Sequence, residues 1–233
     1  MSQQHEERQS KGALSHVAPE AFAPHTGLAA HVIPFLDTSD GAHDLAHLLR
    51  VWHNAQRIAA VEGGESDVLA AAVLLHDCVA LDKTSPLRPR ASALAAEQAG
   101  TILSELGWNE DQIAAVQHAV AAHSFSAGIV PMTLEARVVQ DADRLDAIGH
   151  IGIARCFYTA GRLGSALYQV DDVSSEHRVL DDSRYALDHF RSKLLRLGEN
   201  FQTATASRMA AERIRVVAAF LAGFEAELKF KDC

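Results

Sequence analysis

The chain has 233 residues, 48% of them hydrophobic, with 21 lysines and arginines against 30 aspartates and glutamates and a formal charge of -9. That length and apolar content suffice for a buried core, while the acidic balance argues against broad contact with duplex nucleic acid, which needs a basic face to displace condensed counterions. Cys78, Cys156 and Cys233 are widely spaced and form no CxxC pair, which speaks against a disulfide framework or zinc ribbon and fits a reducing compartment.

Residues 1 to about 17 are rich in Gln, Glu, His and Ser without periodicity and read as a flexible tail. They lack the apolar stretch of a secretory signal, and no later segment reaches transmembrane length, so a cytoplasmic protein with no membrane association is expected. The remainder, 18–233, reads as a single helical domain with a core over about 40–150.

From about 43 to 62, Leu48, Val51, Trp52, Ala55, Ile58 and Ala59 recur at helical spacing, and Gly63-Gly64 supplies a stop. His47, four residues before Val51, falls on the inward face. Ser66 is the expected N-cap of the next helix, whose apolar run from Val68 to Leu75 ends on the adjacent pair His76-Asp77. Two polar, metal-competent side chains at the inner end of so apolar a segment require a partner, and a divalent cation would serve.

Pro86 and Pro89 break the pattern over 81–90, predicting a loop in which Lys83, Arg88 and Arg90 outweigh Asp82. An Ala-rich helix follows, stopped by Gly107. Asn109 caps another, running to about His123, and Pro131 with Thr133 marks the start of the one carrying Asp143. Beyond Gly161 to Gly164 the acidic stretch 171–182 reads as an exposed excursion, and helices over about 183–197 and 205–229 close the chain. No strand alternation or internal repeat is found, so the expected class is all-α, a helical bundle with its site in the middle.

His47, His76-Asp77 and Asp143 occur in the order H…HD…D. In this order and in its flanks, Ala122 to Ser126, Gln140 to Gly149 and His189 to Leu195, the sequence resembles the HD-domain metal-dependent phosphohydrolases, over roughly residues 40 to 225. The nearest likeness is to their bacterial YedJ-like and YpgQ-like branch. The resemblance implies that His47, His76, Asp77 and Asp143 hold one divalent ion and that the reaction is hydrolysis of a phosphoanhydride or phosphoester. YpgQ-like members imply cleavage of nucleoside triphosphates to monophosphate and pyrophosphate.

Two imidazoles with two carboxylates suit manganese, the expected ion, and also iron, cobalt or nickel, with magnesium less natural. Because successive helical residues point about 100° apart, His76 and Asp77 can share an ion only near a helix junction. The bland alternative makes the histidines hydrogen-bonded core groups and the aspartates caps or ion-pair partners. Asp141 and Asp146 crowd Asp143; the family pattern selects Asp143, leaving Asp141 as a supporting or surface group and Asp146 as a surface or interhelical one.

Dinuclear relatives carry two further histidines, of which only His123 has a counterpart here; the other would fall near Ala95, which favours one ion. His123 is left to contact phosphate or act as general acid. Some relatives carry a water-positioning Glu where this chain has Ala80, so the metal-bound hydroxide is expected to be assisted by Asp77, the candidate catalytic carboxylate, or by a group behind the metal ligands. Arg50, Lys83, Arg88, Arg90, His118 and Arg144 are candidate contacts for a small anionic substrate, the expected one being a nucleotide. A solvated basic loop or ion pairs that orient metal carboxylates would explain the same arginines. His43 is expected to be a capping or exposed residue, and Cys78 a small buried one.

A non-catalytic nucleotide sensor and a di-iron oxygenase are the competing functions. The four retained candidate ligands argue against the first and the missing histidine against the second. The amphipathic C-terminal helix is compatible with a homodimer.

Overall fold

The computed structural model describes residues 19–35, 44–79 and 85–228, with only the backbone for Ser126. The N-terminal tail, His43, Ala80, Asp82, Lys83 and Cys233 lie outside the described residues. Among those described there are helices and no strands, apart from an isolated parallel bridge between Ala166 and Tyr185, so the all-α expectation holds. No described helix is long and apolar enough to cross a membrane. The chain divides into two compact units at Asp143/Arg144.

In the first unit, α1 (Thr26–Val32) is followed by α2 (Leu45–Glu62), α3 (Ser66–Leu75), α4 (Ala91–Glu105), α5 (Glu110–Ala122) and α6 (Leu134–Asp146), the last running across the division. The Asp44 side chain accepts the His47 N–H at 3.0 Å and caps α2. At its other end Gly63 adopts φ +87°, a conformation that terminates a helix at low cost only in glycine. Asn109 caps α5 as expected, its Oδ1 accepting from the Gln112 N–H.

Every residue of α3 from Val68 to Leu75 is buried, so this helix is apolar all round because it is surrounded. Ser66 is not its cap. Glu65 holds that position, while the Ser66 hydroxyl lies 2.8 Å from His25 Nε2 and Asp67 lies 3.1 Å from His25 Nδ1. With Phe22 stacked on Trp52, these contacts dock the segment before α2, which the periodicity does not reveal. α4 and α5 approach so closely at Gly100 that an added Cβ would lie 2.2 Å from Gln117 Nε2.

The second unit contains α7 (Gly149–Leu163), the short α8 (Ala186–His189) and α9 (Ala204–Leu228). Its core gathers Leu187, Phe190 and Val217, all 0% exposed, with Phe157, Phe220 and Phe224 packed against them. The helix expected over 183–197 is irregular. After α8 the chain makes a π-turn over Phe190–Leu194 and a 3-10 turn over Arg196–Gly198.

The acidic excursion before α8 is braced from within. Asp188, 0% exposed, accepts from Arg178, from the Asp181 N–H and from Ser175 Oγ. Burial raises the Asp188 carboxyl's pKa, but these hydrogen bonds prevail and hold it below the ordinary carboxylate range. The stabilisation is complete above the unfolded value of about 4 and is lost as pH falls through the depressed folded value. Asp188→Asn removes this dependence, so in circular-dichroism acid titrations the wild type loses stability more steeply below pH about 4 than the variant.

Candidate metal centre

The centre is assembled at helix ends within the first unit. His47 sits in the first turn of α2, His76 is the C-cap of α3, Asp77 follows it in the turn, His123 is the C-cap of α5, and Asp143 projects from α6. The helix junction required for neighbouring residues to face one point is present, because α3 stops at Leu75. The C-terminal ends of α3 and α5 also turn their partial negative charge toward the region of their capping histidines, which favours a cation there.

His47 Nε2 lies 3.3 Å from His76 Nε2, 3.5 Å from Asp143 Oδ1 and 4.0 Å from Asp77 Oδ2. His76 Nε2 lies 3.4 Å from Asp77 Oδ2 and 4.0 Å from Asp143 Oδ1. Donors held about 2.1 Å from a common ion lie no more than about 4.2 Å apart, and all five distances meet that bound. His47 and His76 are each 1% exposed, whereas Asp77 and Asp143 side chains are 42% and 28% exposed, giving the centre a buried nitrogen floor and an accessible carboxylate side.

The protonation pattern also fits a cation. His76 Nδ1 lies 2.7 Å from the Val73 carbonyl and must donate to it, since a carbonyl oxygen only accepts; Nε2 therefore presents a lone pair. With the two carboxylates, it forms a partly buried cluster of acceptors that a positive ion would stabilise. The residues present thus fit a divalent metal.

His123 repeats the arrangement. Its Nδ1 donates to the Val120 carbonyl at 2.6 Å, its Nε2 faces Asp77 Oδ1 at 3.7 Å, and its ring meets that of His76 edge-on at 4.9 Å. Burial, followed by the nearby His76, lowers its pKa against the opposing pull of Asp77 and Asp143. A neutral imidazole with its proton committed at Nδ1 has none at Nε2 to give a leaving group. In that tautomer Nε2 is turned to the centre as an acceptor.

Two buried amides, absent from the sequence-based site, set the spacing. Asn54 Nδ2 donates to the Ala142 carbonyl at 3.0 Å, joining α2 to α6 beside Asp143. Gln140 Nε2 donates to the Ala122 carbonyl at 2.7 Å, joining α6 to the end of α5 beside His123. The available signal was periodicity: Asn54 lies two helical turns after His47, and Gln140 one turn before Asp143.

Arg50 is half-buried in α2, one turn after His47, and Arg88 and Arg90 are exposed on the 3-10 turn leading into α4. His118 Nε2 accepts the Met132 N–H at 2.9 Å and braces the chain before α6. Arg144, 5% exposed, donates to the carbonyls of Leu197, Glu199 and Asn200 and lies over the Phe201 ring, so its guanidinium ties main chain within the second unit instead of meeting phosphate.

Asp141 and Asp146 are buried, not surface groups, and Asp146 pairs with Arg155 at 2.9 Å. Cys78 is half-buried, its thiol directed at the Ala95 carbonyl, and burial pushes its pKa up to about 11, as befits an inert thiol.

The HD domain family model matches residues 44–148, the stretch that carries all five of these residues. The chain belongs to the HD domain family. YpgQ of Bacillus subtilis (strain 168) is 32% identical over 196 residues, spanning 82% of this chain and 87% of YpgQ. The crystal structure of B. subtilis YpgQ in complex with ADP matches with a TM-score of 0.64 and 32% identity, over 82% of this chain and 93% of that one. An HD-superfamily hydrolase from Bacillus thuringiensis matches with a TM-score of 0.67 and 28% identity, over 92% and 97%.

Ligand loss and structural loss should separate cleanly. By isothermal titration, His76→Ala and Asp143→Asn each weaken Mn2+ binding by more than about 100-fold, exceeding the loss of a supporting contact. Arg144→Ala lowers unfolding stability by about 2 kcal/mol through its lost charge-assisted hydrogen bonds and leaves Mn2+ affinity unchanged.

Proposed function

We propose that the protein is a divalent-metal phosphohydrolase that cleaves nucleoside and deoxynucleoside triphosphates to the monophosphate and pyrophosphate. The observation that carries this reading is the approach of Asp77 and of Asp143 to the same pair of imidazoles, His47 and His76, whose Nε2 atoms lie 3.3 Å apart beside an accessible carboxylate edge. Manganese matches the mixed imidazole and carboxylate set. When bound, the ion supplies Lewis acidity toward phosphoryl oxygen and lowers the pKa of a coordinated water.

The chain's own groups do the positioning. His47 and His76 form the nitrogen floor. Asp143 and Asp77 would balance the ion's charge, and the greater exposure of Asp77 supports a role for it in orienting the attacking water. His123 accepts a hydrogen bond or a ligand bond through Nε2.

Arg88 and Arg90, with Lys83 near them in sequence and Arg50 in α2, supply the positive charge that a triphosphate needs near a protein of net charge -9. Nucleotide as the substrate class draws support from the ADP bound to YpgQ, and the absence of a CxxC pair is in keeping with a reducing cytosol.

Metal-reconstituted protein incubated with a panel of nucleoside and deoxynucleoside triphosphates is expected to release monophosphate and pyrophosphate in equal amounts. Orthophosphate without pyrophosphate would overturn the choice of bond, and turnover undiminished in His76→Ala would overturn the metal centre. Replacing Arg88 and Arg90 together by Ala raises KM by about tenfold, the loss of one charge-assisted contact, and leaves kcat nearly unchanged.

A further inference from the structure

His25, outside the metal centre, bridges a hydroxyl and a carboxylate. Its Nε2 lies 2.8 Å from Ser66 Oγ, and its Nδ1 lies 3.1 Å from Asp67 Oδ1. A carboxylate only accepts, so Nδ1 carries the ring proton. In the neutral imidazole Nε2 is then the acceptor, and the Ser66 hydroxyl donates to it. Carboxylate, imidazole and hydroxyl thus stand in the order that activates a serine oxygen: the imidazole is placed to take the hydroxyl proton, and the carboxylate fixes its tautomer.

The surroundings hold the base still and leave the oxygen open. The His25 side chain is only 9% exposed, its ring meeting Trp52 edge-on at 5.8 Å while Trp52 stacks on Phe22. Ser66 itself is exposed, and so is the Asp67 side chain. Ser66 is the first residue of α3, where the Glu65 side chain makes no capping hydrogen bond. The first-turn N–H groups can therefore donate to an oxyanion developing beside Ser66.

We propose that Ser66, His25 and Asp67 form a second catalytic site, one that hydrolyses small uncharged carboxylic esters. Ser66 Oγ attacks the ester carbonyl carbon as His25 Nε2 takes its proton; the bond to the alcohol oxygen breaks, and the alcohol leaves with that proton. Water, deprotonated by the same nitrogen, then cleaves the acyl-serine, releasing the carboxylic acid and restoring the hydroxyl. Glu65 and Asp67 flank the nucleophile, and Glu135 accepts the Glu65 N–H at 3.0 Å. This negative surround disfavours phosphate compounds and selects neutral acyl ones. Ser66 and His76 stand at opposite ends of α3, about 15 Å apart at the helical rise per residue, so the ester site operates without the metal.

A fluorophosphonate probe, which phosphonylates an activated serine with loss of fluoride, tests the site on the full-length protein kept in EDTA. Peptide mass spectrometry is expected to find the adduct on Ser66. Ser66→Ala abolishes it, and His25→Gln slows it at least about 100-fold, the scale of a lost general base. Asp143→Asn is labelled as fast as the wild type. Hydrolysis of p-nitrophenyl acetate follows the same pattern.

Should circular dichroism show that His25→Gln does not fold, Asp67→Asn carries the test, because its side chain is exposed; it is expected to slow labelling at least about tenfold. A wild-type protein that acquires no adduct on Ser66 overturns the second site. An adduct whose rate is unchanged in folded His25→Gln or in Asp67→Asn overturns it as well, leaving the three residues a docking contact alone.

Discussion

The fold is organised around a cluster of lone pairs that requires positive charge. His76 Nε2 and the carboxylates of Asp77 and Asp143 meet at 3.4 to 4.0 Å, and the two flanking helix ends add partial negative charge of their own. Such a grouping is costly without a cation, and its cost is met by the apolar surroundings of α3, which leave its polar end no other direction to take. Packing and metal affinity therefore depend on the same helix.

Helix ends are suited to this task. A residue inside a helix is separated from its neighbour by about 100° of rotation, so consecutive residues reach one point only where the helix stops. The α3 terminus allows His76-Asp77 to do so, and the α5 terminus brings His123 to the same carboxylate. In both histidines the last-turn carbonyl takes the Nδ1 proton. The backbone thereby selects the tautomer that presents Nε2 to the centre.

Much of this was legible in the sequence. The Gly63 stop, the Asn109 cap and the all-helical class follow from spacing and local chemistry, whereas the choice of Asp143 over Asp141 and Asp146 came from the family resemblance. What escaped depended on contacts far apart in the chain. Asn54 and Gln140 look like ordinary polar residues until their carbonyl partners in other helices are known. Arg144 was misread because proximity to Asp143 in sequence says nothing of a guanidinium whose acceptors lie more than fifty positions later. Asp188 and Arg178 lie in or beside an acidic stretch whose composition suggests solvent exposure, and only the fold reveals the buried carboxylate and its half-buried guanidinium partner.

Asn54 and Gln140 grip main-chain carbonyls, not side chains, and this has an evolutionary corollary. The distance from α2 to α6, and from α6 to the end of α5, is gauged against peptide groups that every amino acid possesses. Ala142 and Ala122 could thus drift to other small residues without altering the gauge. A lineage could remodel the rim and change its preferred ligand while the ion-holding geometry passed on intact.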